Sequence, residues 1–190
     1  MTSAALDHAL TASSLRPLPP VAAELLRDLA APPRLAAHLR LVHDVAWSLT
    51  DALGRRRPAL DFDTTSVLFG AATHDIGKVQ HIEELSGPGS AHEPAGERLL
   101  LRYGVPGYLA RFAGSHGSWD APEVTLDDLL VTLADKVWKG ARVPALEQRV
   151  VDHLGGAPWE AFAELDDLIQ GLATAADRRL AFQAAHPIEA

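Results

Sequence analysis

The sequence predicts an all-α protein. Apolar residues recur at alternating spacings of three and four in several long windows, and no run alternates polar with apolar as a half-buried strand does. Prolines and glycines fall where such helices would open and close. At 190 residues, 47% hydrophobic and 22% charged, the chain has the size and composition of one globular domain with a proper core.

Residues 1–20 read as a flexible N-terminal arm lying over the surface, because Pro17, Pro19 and Pro20 discourage regular helix. Residues 21–190 then form a single helical domain. Val21 to Ala30 makes a short helix with Leu25, Leu26 and Leu29 on one side, and Pro32-Pro33 breaks it and can open the next. Over residues 33–53, Leu35, Leu39, Val42, Ala46, Leu49 and Leu53 form the clearest amphipathic stripe. His38 lies beside that stripe in line with Val42, whereas His43 lies nearer its other edge. Gly54 reads as the stop, and Arg55-Arg56-Arg57-Pro58 as a solvated basic turn. Asp61, Asp63 or Thr64 caps the following helix. That helix is apolar nearly all round through Val67, Leu68, Phe69, Ala71 and Ala72, so it is expected to be central and buried, ending in His74-Asp75.

Residues 79–90 read as a polar loop around Gly87-Pro88-Gly89, in which His81, Glu83 and Glu84 read either as entrance-lining or, by preference, as plain loop residues. Ser90-Ala91-His92-Glu93 has the form of a capping box, with His92 in the first turn of a helix that Gly104 ends. Val105 to Ser115 forms another short helix leading to His116, in turn-like surroundings. Thr125 caps a helix with Leu126, Leu129, Leu130, Leu133 and Val137 inward. Asp135 falls in its second half, where a carboxylate opposes the helix dipole and has no local justification. Pro144 opens a helix to Leu154, and Pro158 opens one long last helix carrying Trp159 through Phe182.

A net charge of −8 argues against a broad nucleic-acid-binding surface but leaves room for a local cationic pocket. The chain has no cysteine, so any metal must be held by His, Asp or Glu. No segment is long and apolar enough to cross a membrane, and residues 1–20 lack an apolar run of signal-peptide length. The expectation is a cytoplasmic protein without membrane partners. The only lysines are Lys78, Lys136 and Lys139, all in or beside the segments that carry the polar motifs.

A His-Asp pair closing a buried helix needs partners, because unsatisfied buried charge is costly. The metal-competent residues near helix ends or in apolar helices are His38, His74, Asp75, His92, His116 and Asp135. If the segment is helical, Lys78 shares a face with His74 and Asp75 and sets a cation beside them, which suits an anionic substrate.

Three segments in this order, His38 with Val42 and Ala46 after it, His74-Asp75-Ile76-Gly77-Lys78, and Leu133-Ala134-Asp135-Lys136, resemble the HD-domain superfamily of metal-dependent phosphohydrolases. The resemblance spans roughly residues 34–142 and implies a helical bundle. A closer similarity is to the subset with two extra histidines, including the HD-GYP type of cyclic-dinucleotide phosphodiesterase. Pro88 to Gly96, with His92 inside, looks like that group's His-Pro-x-x-Gly helix start. Ser115-His116-Gly117 stands in place of its paired His-His-Glu, although Gly117 replaces the second histidine and no Gly-Tyr-Pro follows Trp119.

The resemblance implies one divalent ion on His38, His74, Asp75 and Asp135, and a second on His92 and His116 with Asp75 bridging. The ions are drawn from Fe, Mn, Zn, Co, Ni or Mg. It also implies a catalytic role for Asp75, a phosphate contact for Lys78 and a small, nucleotide-like phosphorylated substrate. A cyclic-nucleotide or cyclic-dinucleotide phosphodiesterase, an HD-fold di-iron oxygenase and a non-catalytic metal- or nucleotide-binding module remain the alternatives. Lys136, Lys139 and Arg142 read either as a cationic rim or as a solvated face, Trp119 and Trp138 either as base-stacking or as core residues, and His8, His153 and His186 as surface residues.

Overall fold

Pro20, Pro33, Pro144 and Pro158 each occupy the first position of a helix in the computed structural model, which describes residues 3–188. Proline suits that position because its missing N–H would be unpaired there in any case. Among the described residues there are ten α-helices and no strand. They are α1 (Ala4–Thr11), α2 (Pro20–Asp28), α3 (Pro33–Arg56), α4 (Thr64–Thr73), α5 (His92–Arg102), α6 (Gly107–Ser115), α7 (Leu126–Val137), α8 (Pro144–Leu154), α9 (Pro158–Ala173) and α10 (Ala176–Ala184). Short 3₁₀ turns cover Ile76–Val79 and Ile82–Leu85.

The expected central helix is α4, capped by the Asp63 side chain and packed against α3, α6 and α7. It lies between two apolar clusters. Val67 and Ala71 join Val45, Leu49, Leu129 and Leu130 on one side, and Phe69 and Ala72 join Leu26, Leu35, Leu39 and Leu100 on the other. Gly70 permits this crowding, since a Cβ there would stand 2.6 Å from the Phe112 ring and 2.9 Å from Val131. α4 therefore delivers His74 and Asp75 to the place where both cores meet. Thr125 caps α7 as expected, and with Asp128 it forms a full capping box.

Several expectations are corrected. The N-terminal segment is not a loose arm. Ser3 caps α1, whose Leu6, Ala9 and Leu10 are buried, and α1 packs on α3. The Arg40 guanidinium, in a residue 1% exposed, donates to the carbonyls of Ala9, Ala12, Leu15 and Arg16. The prolines lie beyond α1, and a buried cation needs those acceptors. Residues 1 and 2 of the expected arm lie outside the described residues.

Gly54 does not stop α3, which runs on to Arg56 and ends at Arg57, just before Pro58. Arg57 is not solvated but pairs with Glu164 at 2.8 Å and donates to the carbonyls of Leu154 and Gly155. The expected last helix is two, α9 and α10, separated at Thr174-Ala175. The break lets α10 pack on α3 and lets Arg179 donate to the Trp138 carbonyl. His186 is buried rather than on the surface, its Nδ1 2.8 Å from the Phe182 carbonyl and its Nε2 3.0 Å from His8 Nδ1.

Candidate metal centre

Five elements converge at the end of α4. α3 brings His38, the α4 C-terminus brings His74 and Asp75, α5 brings His92 in its first residue, the end of α6 brings His116, and α7 brings Asp135. All six side chains are buried. They form two groups whose donor atoms lie close enough to share an ion: His38, His74 and Asp135 in one, Asp75, His92 and His116 in the other.

Asp75 stands between them. Its Oδ2 is 3.1 Å from His38 Nε2 and 3.7 Å from His74 Nε2, while its Oδ1 is 3.0 Å from His92 Nε2 and 3.4 Å from His116 Nε2. Asp135 Oδ1 is 3.5 Å from both His38 and His74 Nε2. One carboxylate oxygen thus faces each group, as a bridging ligand requires.

The spacing fits a metal. Two imidazole nitrogens about 2.1 Å from one ion, at angles between right and tetrahedral, stand roughly 3.0–3.4 Å apart. The His38 and His74 Nε2 atoms are 3.3 Å apart, and those of His92 and His116 are 3.4 Å apart. The far ring nitrogens set the tautomers. His74 Nδ1 is 3.1 Å from the Ala71 carbonyl and His116 Nδ1 is 3.2 Å from the Ala113 carbonyl. Donating there leaves each Nε2 lone pair facing the centre. His92 Nδ1 pairs with the Glu84 carboxylate. His38 Nδ1 has no partner, and its ring meets Trp138 edge-on with centroids 5.0 Å apart.

The electrostatics match a cation site. Burial opposes the Asp75 charge, but the His74 charge and hydrogen bonds from His116, His38 and His92 hold its carboxyl well below the usual range. Burial likewise opposes the Asp135 charge, and the hydrogen bond and charge of His74, with His38 and Lys136, hold that carboxyl far below the ordinary value. Burial disfavours a charged His92, yet the Asp75 hydrogen bond and charge, helped by Glu84, raise it overall.

Lys78 Nζ is 2.6 Å from Asp75 Oδ2, and Lys136 Nζ is 2.8 Å from Asp135 Oδ2. Lys139 is exposed and makes no ion pair among the described residues. All three lysines line one cavity of about 380 Å³ with His38, His92, His116, Trp138 and Gln183. Arg142 is not part of that rim, because it pairs with Glu147 and Asp166, both at 2.7 Å. Trp119 packs against the core.

His43, the competitor of His38, is buried on α3 outside both groups. The stripe register favoured His38 for a physical reason: residue 38 points to the end of α4, and residue 43 does not reach it. Sequence reasoning favoured a plain loop position for Glu84 and did not single out Gln183. Glu84 acts across eight residues of irregular chain, and Gln183 arrives from α10, so neither carries a periodic signal.

An all-helical bundle whose buried histidines and aspartates converge at one helix end defines a metal-competent His/Asp protein. The model of the HD domain matches residues 35–138, and the chain belongs to the HD-domain family. No curated protein and no solved structure matches it.

Proposed function

We propose that this chain is a metal-dependent phosphohydrolase acting on a small, nucleotide-like phosphorylated molecule. The observation that carries the reading is the shared Asp75, with its two oxygens facing two histidine groups in a cavity lined by every lysine of the chain. His38, His74 and Asp135 would hold one divalent ion and His92 and His116 the other. When bound, such ions acidify a water and polarise a phosphoryl group.

The protein's own residues do the rest. Asp75 spans both groups and keeps its negative charge through its imidazole neighbours. Lys78, held 2.6 Å from Asp75, places a cation at the cavity wall, where negative charge on phosphate oxygens is stabilised. Lys139 has no competing ion pair among the described residues and is the cation most available to a phosphate. Gln183 lines the wall beyond and offers an amide to the rest of the molecule, while Trp138 is buried in the core and backs His38. A volume near 380 Å³ lies at the small end of ligand sites, which run from about 300 to 1,000 Å³. That favours one phosphorylated unit over a cyclic dinucleotide.

The test is phosphate release from phosphomonoesters and phosphodiesters across a series of divalent metals. Lys139→Ala should raise KM about tenfold, the loss of one charge-assisted contact, and leave kcat and metal content unchanged. Failure to release phosphate from any substrate with any metal contradicts the reading. Iron-dependent oxygen uptake in its place would assign the site to oxygenase chemistry.

A further inference from the structure

The second group of ligands is the poorer one, with two histidines and a shared carboxylate, against two histidines, Asp135 and the same carboxylate in the first. It therefore depends more on how well its histidines are held. His116 is oriented by a neutral carbonyl of its own helix, that of Ala113. His92 is oriented differently. Glu84, whose side chain is 7% exposed, reaches from the 3₁₀ turn Ile82–Leu85 to the start of α5. Its Oε1 accepts from the Ala91 N–H at 3.0 Å, and its Oε2 accepts from the His92 N–H at 3.1 Å and pairs with His92 Nδ1.

We propose that Glu84 is a positioning residue that governs filling of the second group. It fixes His92 with Nδ1 as donor and Nε2 as the free lone pair, 3.0 Å from Asp75 Oδ1. A carboxylate behind a ligating histidine also makes the imidazole a better donor to a metal. Among the four histidines of the centre, His92 alone has an anionic partner at Nδ1.

Helix capping accounts for the two amide contacts but not for the pairing with His92 Nδ1. Ser90 stands at the capping-box spacing, yet no side chain caps from the N-cap position of α5, and Glu84 satisfies both amides from a distant turn. A local serine would have sufficed for capping alone. Gly89 keeps the place open, since a Cβ on it would lie 2.2 Å from Glu84 Oε1. Gly89→Ala thus displaces the carboxylate without removing it, and also strains the loop at a φ of 158°.

The proposal rests on the metal reading of the centre, and its test separates the two. Metal-free wild type, Glu84→Ala, Glu84→Gln and Gly89→Ala are titrated with Co²⁺ alone, and bound ions per chain and both dissociation constants are measured. Wild type should take up two ions. Glu84→Ala should weaken the second ion about 10–100-fold, the usual effect of losing such a partner, with the first unchanged. Gly89→Ala should follow it, and Glu84→Gln should fall between. Melting of the metal-free proteins is read alongside. Equal metal affinities with a lowered melting temperature in the variants would reduce Glu84 to a helix cap and overturn the proposal. Fewer than two ions in wild type would overturn the two-ion reading itself, and this proposal with it. Should Glu84→Ala fail to fold, Glu84→Gln and Gly89→Ala decide the matter by the same comparison.

Discussion

Gly77 sits two residues after Asp75, where the first 3₁₀ turn presses on α5. A Cβ at this position would stand 2.0 Å from the His92 carbonyl oxygen and 2.6 Å from the Gly96 amide nitrogen. Both are backbone atoms of α5, so no side chain can swing aside. Non-bonded contacts to carbon begin near 3.5 Å, so the turn and α5 must part by roughly 1 Å or more in Gly77→Ala. Gly96 tightens the same seam from the other side, because its own added Cβ would lie 3.0 Å from the Gly77 amide nitrogen.

Ordinary overpacking costs about 1–3 kcal/mol. Backbone against backbone should reach or exceed the top of that range, so Gly77→Ala is expected to lose about 3 kcal/mol or more. The seam also divides the centre, with Asp75 and Lys78 on one side and His92 on the other. The variant should therefore lose affinity for a metal ion held between Asp75 and His92 even under conditions where it is folded. Urea unfolding of the metal-free protein measures the first effect, and cobalt titration the second. A midpoint shift worth under about 0.5 kcal/mol at unchanged m-value, which is the range of an innocuous surface change, would refute the packing argument.

Two further variants test other parts of the fold. Arg40→Met removes the donor to four carbonyls of the N-terminal segment and should cost about 2–4 kcal/mol. Limited proteolysis should then cut between α1 and α2, and resistance equal to wild type would contradict that anchoring. Burial pushes the His43 imidazole down to about 4, with Asp44 opposing and Arg16 and Arg40 assisting. The unfolded chain then takes up the proton first, so the His43 contribution is complete above pH ~6.5 and is lost as the pH falls towards its folded pKa, to the extent of roughly 2–3 kcal/mol. His43→Leu should flatten the stability profile in that window, and an unchanged slope would contradict the burial of a neutral ring.

The fold was legible because helix period, proline starts and caps agreed with one another. Asp63, Thr125, Pro33 and Pro144 all act as their sequence positions suggest. The failures lie where tertiary contacts override local signals. α1 is held by a buried arginine on another helix, α3 runs through Gly54 to Arg57, which Glu164 and the Leu154 carbonyl hold, and α9 gives way to α10 without a proline. His74-Asp75 stood out by the conflict between a charged pair and an apolar helix. Asp135 stood out because a carboxylate late in α7 opposes the helix dipole. Glu84 carried only a weak mark, its place in the loop after the motif. It lies in a polar stretch, and only the fold brings it to His92.

Asp75 faces both metal-competent groups, one oxygen to each. The most direct measurement is the number of divalent ions bound per chain by wild type and by Asp75→Asn, determined by metal analysis after equilibrium dialysis, with circular dichroism as the folding control. Two ions in wild type, and fewer than two in a folded Asp75→Asn protein, are the expected values. Wild type that holds a single ion, or Asp75→Asn that keeps two at unchanged affinity, would contradict the shared carboxylate.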